Sequence, residues 1–323
     1  FEKKLDLFQQ PIKDFAPLHL LLGWADRYRK LHVRTNADTP EDCLQALEFG
    51  AQGVGLCRTE HMFFDEKRIL QFRKMILAGK RSARLKHLRG LLPYQRKDFY
   101  KILKTMNGLP VTVRLLDPPF HEFLDIGDKE VVVLAKNLKE TKKEVKRRID
   151  QLQEVNPMLG RRGCRLGISY PEITEMQVEA VLGAALELKK EKKNPRVEIM
   201  VPLVGNLEEF LNQKNIIINT YEKLSKKHNQ KLSYKIGTMI EVPRACFSAD
   251  KIAKHADFFS FGTNDLTQTT FGFSRDDVGS FFPNYFEKNI LPFDPFESID
   301  EKSVGALMDT AIKRGRKNTP TLS

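Results

Sequence analysis

Apolar residues in this chain come in short runs that stop abruptly at polar residues, with amphipathic stretches between them. Leu31–Thr35 alternates as a first strand and closes on the turn residues Asn36-Ala-Asp38. Thr39-Pro-Glu-Asp then opens a helix, with Thr39 as N-cap, Pro40 in the first position and acids in the first turn. Gly53–Cys57 reads as a second strand, Val111–Leu116 as a third, Leu166–Ile168 as a fourth and Val197–Val201 as a fifth. Lys235–Val242 is the sixth. The seventh is the aromatic run from Phe258 to Gly262, which breaks at Thr263-Asn264-Asp265.

Helical periodicity fills the gaps. Leu18–Trp24 reads as a helix or packed connector. Phe64–Thr105 is helical and basic, broken at Pro93. Phe123–Gln153 is a charged helical insert and Asn156–Cys164 a loop. Further helices are expected at Thr174–Lys190, Asn206–Lys227, Arg244–His255 and Ser303–Arg314. Strands alternating with helices, most strands ending in polar groups, predict the α/β class and a (β/α)₈ TIM-type barrel with helical insertions. No eighth strand is legible in Arg314–Ser323. The expected division is a connector over 1–23 and a barrel over 24–323, incomplete at its C-terminus. A doubly wound sheet would also alternate, but no Gly-x-Gly-x-x-Gly loop occurs.

Composition narrows the picture. Of 323 residues, 41% are hydrophobic, enough for a sizeable core. The net charge of +12 suits anionic partners, including phosphorylated substrates, but much of it is lysine on helix surfaces such as 139–148 and 189–193, which reads as a solvated face. No base-reading motif accompanies it, so neither a nucleic-acid nor a membrane partner is expected. The four cysteines (Cys43, Cys57, Cys164 and Cys246) lack metal-ligand spacing, which points to a reducing compartment. With no signal peptide and no membrane-length apolar run, a soluble protein is expected, cytoplasmic or in an organelle such as a glycosome or plastid. The chain opens on Phe1 rather than Met and is expected to be a piece of a longer one.

The strand tips carry the candidate chemistry: Arg58, Arg114, Arg162, Glu241, Asn264 and Asp265. Two carboxylates on separate tips suit a shared divalent cation, and Gly262 lets a ligand approach the backbone. Arginine forks suit carboxylate and phosphate. Together they suggest a small phosphorylated acid bound with a metal. The alternatives are structural: Asp265 capping the helix that follows it, and ion pairs such as Arg114–Glu241.

Five segments carry a resemblance. Gly55-Leu-Cys-Arg-Thr-Glu-His-Met-Phe-Phe64, Val113-Arg-Leu-Leu-Asp-Pro-Pro-Phe-His-Glu-Phe123, Asn156-Pro-Met-Leu-Gly-Arg-Arg-Gly-Cys-Arg165, Gly237-Thr-Met-Ile-Glu-Val-Pro-Arg244 and Ser260-Phe-Gly-Thr-Asn-Asp-Leu-Thr-Gln268 resemble the C-terminal phosphoenolpyruvate/pyruvate-binding domain of the pyruvate, phosphate dikinase family. Phosphoenolpyruvate synthase and enzyme I of the sugar phosphotransferase system share several of these motifs. The resemblance runs from about Trp24 to the end and implies phosphoryl exchange between a phosphohistidine on a separate domain and pyruvate or phosphoenolpyruvate. It implies Mg²⁺ on Glu241 and Asp265, with Arg58 and Arg114 as catalytic contacts to the phosphoryl group and enolate oxygen. Gly262, Thr263 and Asn264 would hold the substrate. Arg162 would help, with Arg161 and Arg165 competing for its role. Partners implied are the nucleotide-binding and phosphohistidine domains of the parent and a second copy in a homodimer. The family's proton donor, a cysteine in Cys-Gly-Glu-His-Gly-Gly on the eighth strand, does not occur here, so this piece is expected to bind but not to turn over. Cys57 is read as a buried strand cysteine. Other readings are a metal-dependent pyruvate-enolate lyase and a non-catalytic basic binding module.

Overall fold

Thr39 accepts from the Asp42 N–H and the Asp42 side chain answers back, a capping box that starts helix α2 (Pro40–Glu48) where the sequence places it. The computed structural model describes residues 16–323; the first fifteen residues of the expected connector lie outside them. Helix α1 (Ala16–Tyr28) precedes α2, and β1 (Thr35–Asn36) is a two-residue strand, shorter and later than Leu31–Thr35. Then follow β2 (Val54–Arg58), α3 (Glu66–Ile76), α4 (Arg81–Thr105) and β3 (Pro110–Arg114). The charged insert forms α5 (Asp128–Leu138) and α6 (Lys142–Leu152). Next come α7 (Gly163–Ser169), α8 (Pro171–Lys190), β4 (Arg196–Val201), α9 (Leu207–His228), β5 (Tyr234–Ile240) and α10 (Pro243–Ile252). The last are β6 (Phe259–Phe261), α11 (Thr263–Phe271), α12 (Phe282–Glu287) and α13 (Ala306–Asn318).

The six strands form one parallel sheet in the order β1 to β6. Among the described residues, neighbours in sequence are neighbours in space, so the strand order does not reverse and there is no doubly wound switch point. Alternation sorts the side chains. Val111, Val113, Val197, Ile199, Val201, Ile236 and Ile240 join the core beneath the helices, where α8 packs between α4 and α9. Met200, Met239 and Phe258 form a separate small cluster with Leu56. At the base of the sheet, buried Glu198 accepts from Arg34 at 2.6 Å and from the Thr112 hydroxyl at 2.7 Å.

Two expectations fail. Leu166–Ile168 is not a strand but lies in α7. β3 pairs directly with β4 from Pro110↔Arg196 to Arg114↔Met200, which leaves no slot for a strand between them. Gly163, at φ +54, bonds its N–H to the Asp117 carbonyl, and Cys164 bonds to that of Pro202, so α7 lies across the strand ends. Pro93 does not break its helix either: α4 runs through it. Leu88, Leu91, Phe99, Ile102 and Leu103 bury one face of α4, and that packing offsets the roughly 3 kcal/mol an interior proline costs. The helical break falls instead at 77–80. All four cysteines are buried free thiols. Among the described residues no helix is long and apolar enough to cross a membrane.

Candidate active site

Register aligns the strand ends. Arg58 stands opposite Arg114, Arg114 opposite Met200, and Ile240 opposite Phe261. The residues at and just past these ends therefore converge. They line a cavity of about 510 Å³ holding Arg58, Arg114, Arg162, Glu241, Gly262, Thr263, Asn264 and Asp265, all eight of the residues expected there.

Glu241 is fully buried. Its Oε1 accepts the Leu203 N–H at 2.6 Å, while Oε2 has no hydrogen-bond donor. Burial raises its pKa well above the usual carboxylate range, reinforced by the negative charges of Asp117 and Asp265. Asp265 lies within hydrogen-bonding reach of it. A Cβ on residue 262 would stand 2.5 Å from Glu241 Oε2 and 2.7 Å from its Cβ, so only glycine leaves the carboxylate its place. Asp265 sits in the first turn of α11, whose N-cap, Gly262, has no side-chain cap bond. Capping does not explain this acid. Its oxygens face Arg162 Nη2 at 3.2 Å and Gln268 Nε2 at 3.4 Å.

Arg114 pairs with Glu60 at 2.6 Å and Asp117 at 3.1 Å, not with Glu241 as the ion-pair alternative had it. Arg162 donates to Asp117 at 2.6 Å as well as to Asp265. Burial works against both guanidinium charges, but Asp117, with Glu60 for Arg114 and Asp265 for Arg162, outweighs it and raises both pKa values. Asp117 is thus the hinge between two arginines, and sequence reasoning passed over it. Its signal was the rule that selected Glu241, an acid just past a strand end. The arginine competition resolves on position: Arg161 reaches the Tyr170 hydroxyl and Arg165 the carbonyls of Leu159 and Gly160, so Arg162 alone of the three enters the cavity.

Arg58 is more loosely held. Its N–H donates to Asp38 Oδ1 at 2.6 Å, its guanidinium lies 3.8 Å from Oδ2, and His61 Nδ1 is 2.7 Å from that same oxygen. Arg275, also unforeseen, lines the cavity and donates to Asn264 Oδ1 at 3.1 Å, while its backbone N–H is held by Gln268. Cys57 is buried, and burial raises its thiol pKa further from ionisation. The arrangement gathers two adjacent carboxylates, one with an orphaned oxygen, and fixed guanidiniums in one cavity, with Arg162 bridging Asp117 and Asp265. It can hold a cation and an anion side by side.

Comparison with known proteins agrees with this chemistry. A family model described as PEP-utilising enzyme, PEP-binding domain, matches residues 15–319. The chain is 51% identical over 320 residues to pyruvate, phosphate dikinase of Clostridium symbiosum, covering 99% of this chain and 37% of that protein. It is 54% identical over 307 residues to the chloroplastic pyruvate, phosphate dikinase 1 of Arabidopsis thaliana, covering 94% and 32%. With pyruvate, phosphate dikinase 2 of Oryza sativa subsp. japonica the identity is 54% over 304 residues, covering 93% and 34%. The chain therefore spans about a third of the length of these curated relatives. It belongs to the family of PEP-utilising enzymes, as their PEP-binding domain.

Proposed function

We propose that this chain is the substrate-binding module of a pyruvate, phosphate dikinase, exchanging a phosphoryl group between a phosphohistidine elsewhere on the parent chain and pyruvate. In the whole enzyme, ATP, pyruvate and phosphate would give AMP, phosphoenolpyruvate and diphosphate. The observation that carries this reading is the orphaned, buried Glu241 Oε2 beside Asp265, in one cavity with fixed arginines.

A divalent cation fits the residues present, since two adjacent carboxylates are hard oxygen donors and one of their oxygens lacks any partner. Glu241 and Asp265 would hold Mg²⁺, which when bound stabilises negative charge on the enolate oxygen. Arg58 and Arg114 would grip the phosphoryl oxygens as rigid donors, Arg114 pre-oriented by Glu60 and Asp117. Arg162 would add a third fork. Gly262 gives the substrate access to the backbone, and Thr263 and Asn264 would orient the acid. The residue order supports a sequentially wound (β/α)₈ barrel of which these strands form an arc, with 24–323 as the barrel domain and 1–23 as a connector. A homodimer and the domains bearing phosphohistidine and nucleotide would be its partners.

The test is a coupled assay on the full-length parent with pyruvate, ATP and phosphate. Phosphate-dependent formation of phosphoenolpyruvate is expected; activity without phosphate would favour the synthase instead. In this chain alone, titration calorimetry should show phosphoenolpyruvate binding that needs Mg²⁺ and is lost in Glu241→Ala. Binding unchanged in that variant would overturn the metal assignment.

A further inference from the structure

At the opposite end of β5 from Glu241, a second cavity of about 410 Å³ opens between the N-terminal ends of β4 and β5. Tyr234 and Glu241 are seven residues apart along an extended strand, so the two cavities lie roughly 23 Å from each other. Four cationic side chains line this one: Lys189, Lys193, Arg196 and Lys235. Its one carboxylate, Glu198, serves Arg34 and Thr112 and lies 3.8 Å from Lys235 Nζ. The exposed Lys193 and Arg196 side chains have no hydrogen-bond or ion-pair partner among the described residues. Four cations beside one shared carboxylate leave an excess of positive charge, which favours an anionic ligand.

The rim is held in shape. The Asn194 N–H donates to Asn107 Oδ1 at 2.8 Å, and its carbonyl accepts from Gly108 at 3.0 Å. On the other side, the Tyr221 hydroxyl brackets Leu232, donating to its carbonyl at 2.9 Å and accepting from its N–H at 2.7 Å. Lys189 Nζ donates to the Lys231 carbonyl at 2.5 Å, tying helix α8 to the loop before β5. A basic pocket with pinned walls loses little ordering entropy on binding.

The geometry points to a second ligand site here, for a small multiply charged anion of the diphosphate class. Two forks or ammonium groups can meet each phosphate, and the volume suits a small molecule.

Titration calorimetry of the full chain with inorganic diphosphate tests this, with sulfate at matched ionic strength as control. Arg58→Ala weakens the candidate active site, and Lys193→Ala/Arg196→Ala disables the basic pocket; none of the three side chains is buried, so the core stays intact. Saturable diphosphate binding is expected in the wild type and in Arg58→Ala. It should weaken about tenfold in the double variant, since each partly exposed charge contact is worth a factor of about three. Charge reversal, Lys193→Glu/Arg196→Glu, should abolish it. Three results would each overturn the site: unchanged affinity in the double variants, loss of binding in Arg58→Ala, or sulfate matching diphosphate.

Discussion

Replacing Gly262 with alanine tests the geometry around Glu241 most directly. The new Cβ would meet Glu241 Oε2 at 2.5 Å, Glu241 Cβ at 2.7 Å and Met239 Sδ at 2.9 Å. Swinging the carboxylate away relieves the first contact only, because the Glu241 Cβ is fixed to the backbone just past β5. The strand end or the start of α11 must therefore shift by several tenths of an ångström. Overpacking of this kind costs about 1–3 kcal/mol. At roughly 2 °C of melting temperature per kcal/mol for a chain of this size, the midpoint should fall by about 2–6 °C. On the proposed reading of Glu241 as a cation ligand, binding should suffer more than stability, since disturbing the groups that orient a metal ligand typically costs about 10–100-fold in affinity. The assay is titration calorimetry with phosphoenolpyruvate at fixed Mg²⁺, alongside thermal melting. Gly79→Ala is the control, because nothing lies within 4 Å of a Cβ there, and it should change neither quantity. If Gly262→Ala binds phosphoenolpyruvate within twofold of wild type, the crowded contact does not position Glu241 and the reasoning fails.

Glu198→Ala strips Arg34 and Thr112 of their shared acceptor and should cost about 3 kcal/mol in chemical denaturation, with Arg34→Met/Glu198→Leu recovering most of it. The pKa of His87 is lowered by burial and then by Lys74 and Lys86, and its Nδ1 stands 3.1 Å from Gln71 Nε2. The unfolded chain therefore takes up this proton first, so stability should drop as pH falls through about 6.5. His87→Gln should flatten that dependence in melts at pH 6.0 and 7.5, and an unaltered slope would count against it. Burial pushes the Cys43 thiol up to about 12 and that of Cys246 to about 11, and all four cysteines are buried. A thiol reagent at pH 8 should thus find almost none in the native chain and all four in denaturant.

Local rules settled much of this protein before any tertiary contact was known. Thr39 with Asp42, and Asn206 with Glu209, are capping boxes written within four residues, and each starts its helix on schedule. Short apolar runs that stop at polar residues defined β2, β3, β4 and β5, whereas the alternating run Leu31–Thr35 became only the two-residue β1. The break from aromatic to polar residues at Gly262 likewise announced a strand end with chemistry on it. That the expected site residues would share one cavity followed from parallel strands ending on one side.

Tertiary structure alone decided the rest, wherever the outcome depended on which segments meet. The Leu-Gly-Ile run at Leu166–Ile168 is too short to tell helix from strand, and the direct pairing of β3 with β4 made the choice. Pro93 carries a local penalty that the packing of α4 on α3 and α8 outweighs. Arg161, Arg162 and Arg165 are indistinguishable by type, yet the turn at Gly163 aims one of them at Asp117 and Asp265. Asp117 lies just past a strand end in the sequence, and only the fold reveals that it is gripped by two arginines from separate elements. Sequence periodicity specifies which face of an element is buried; it cannot specify the partner that arrives there, and charge pairing inside a site depends on that partner.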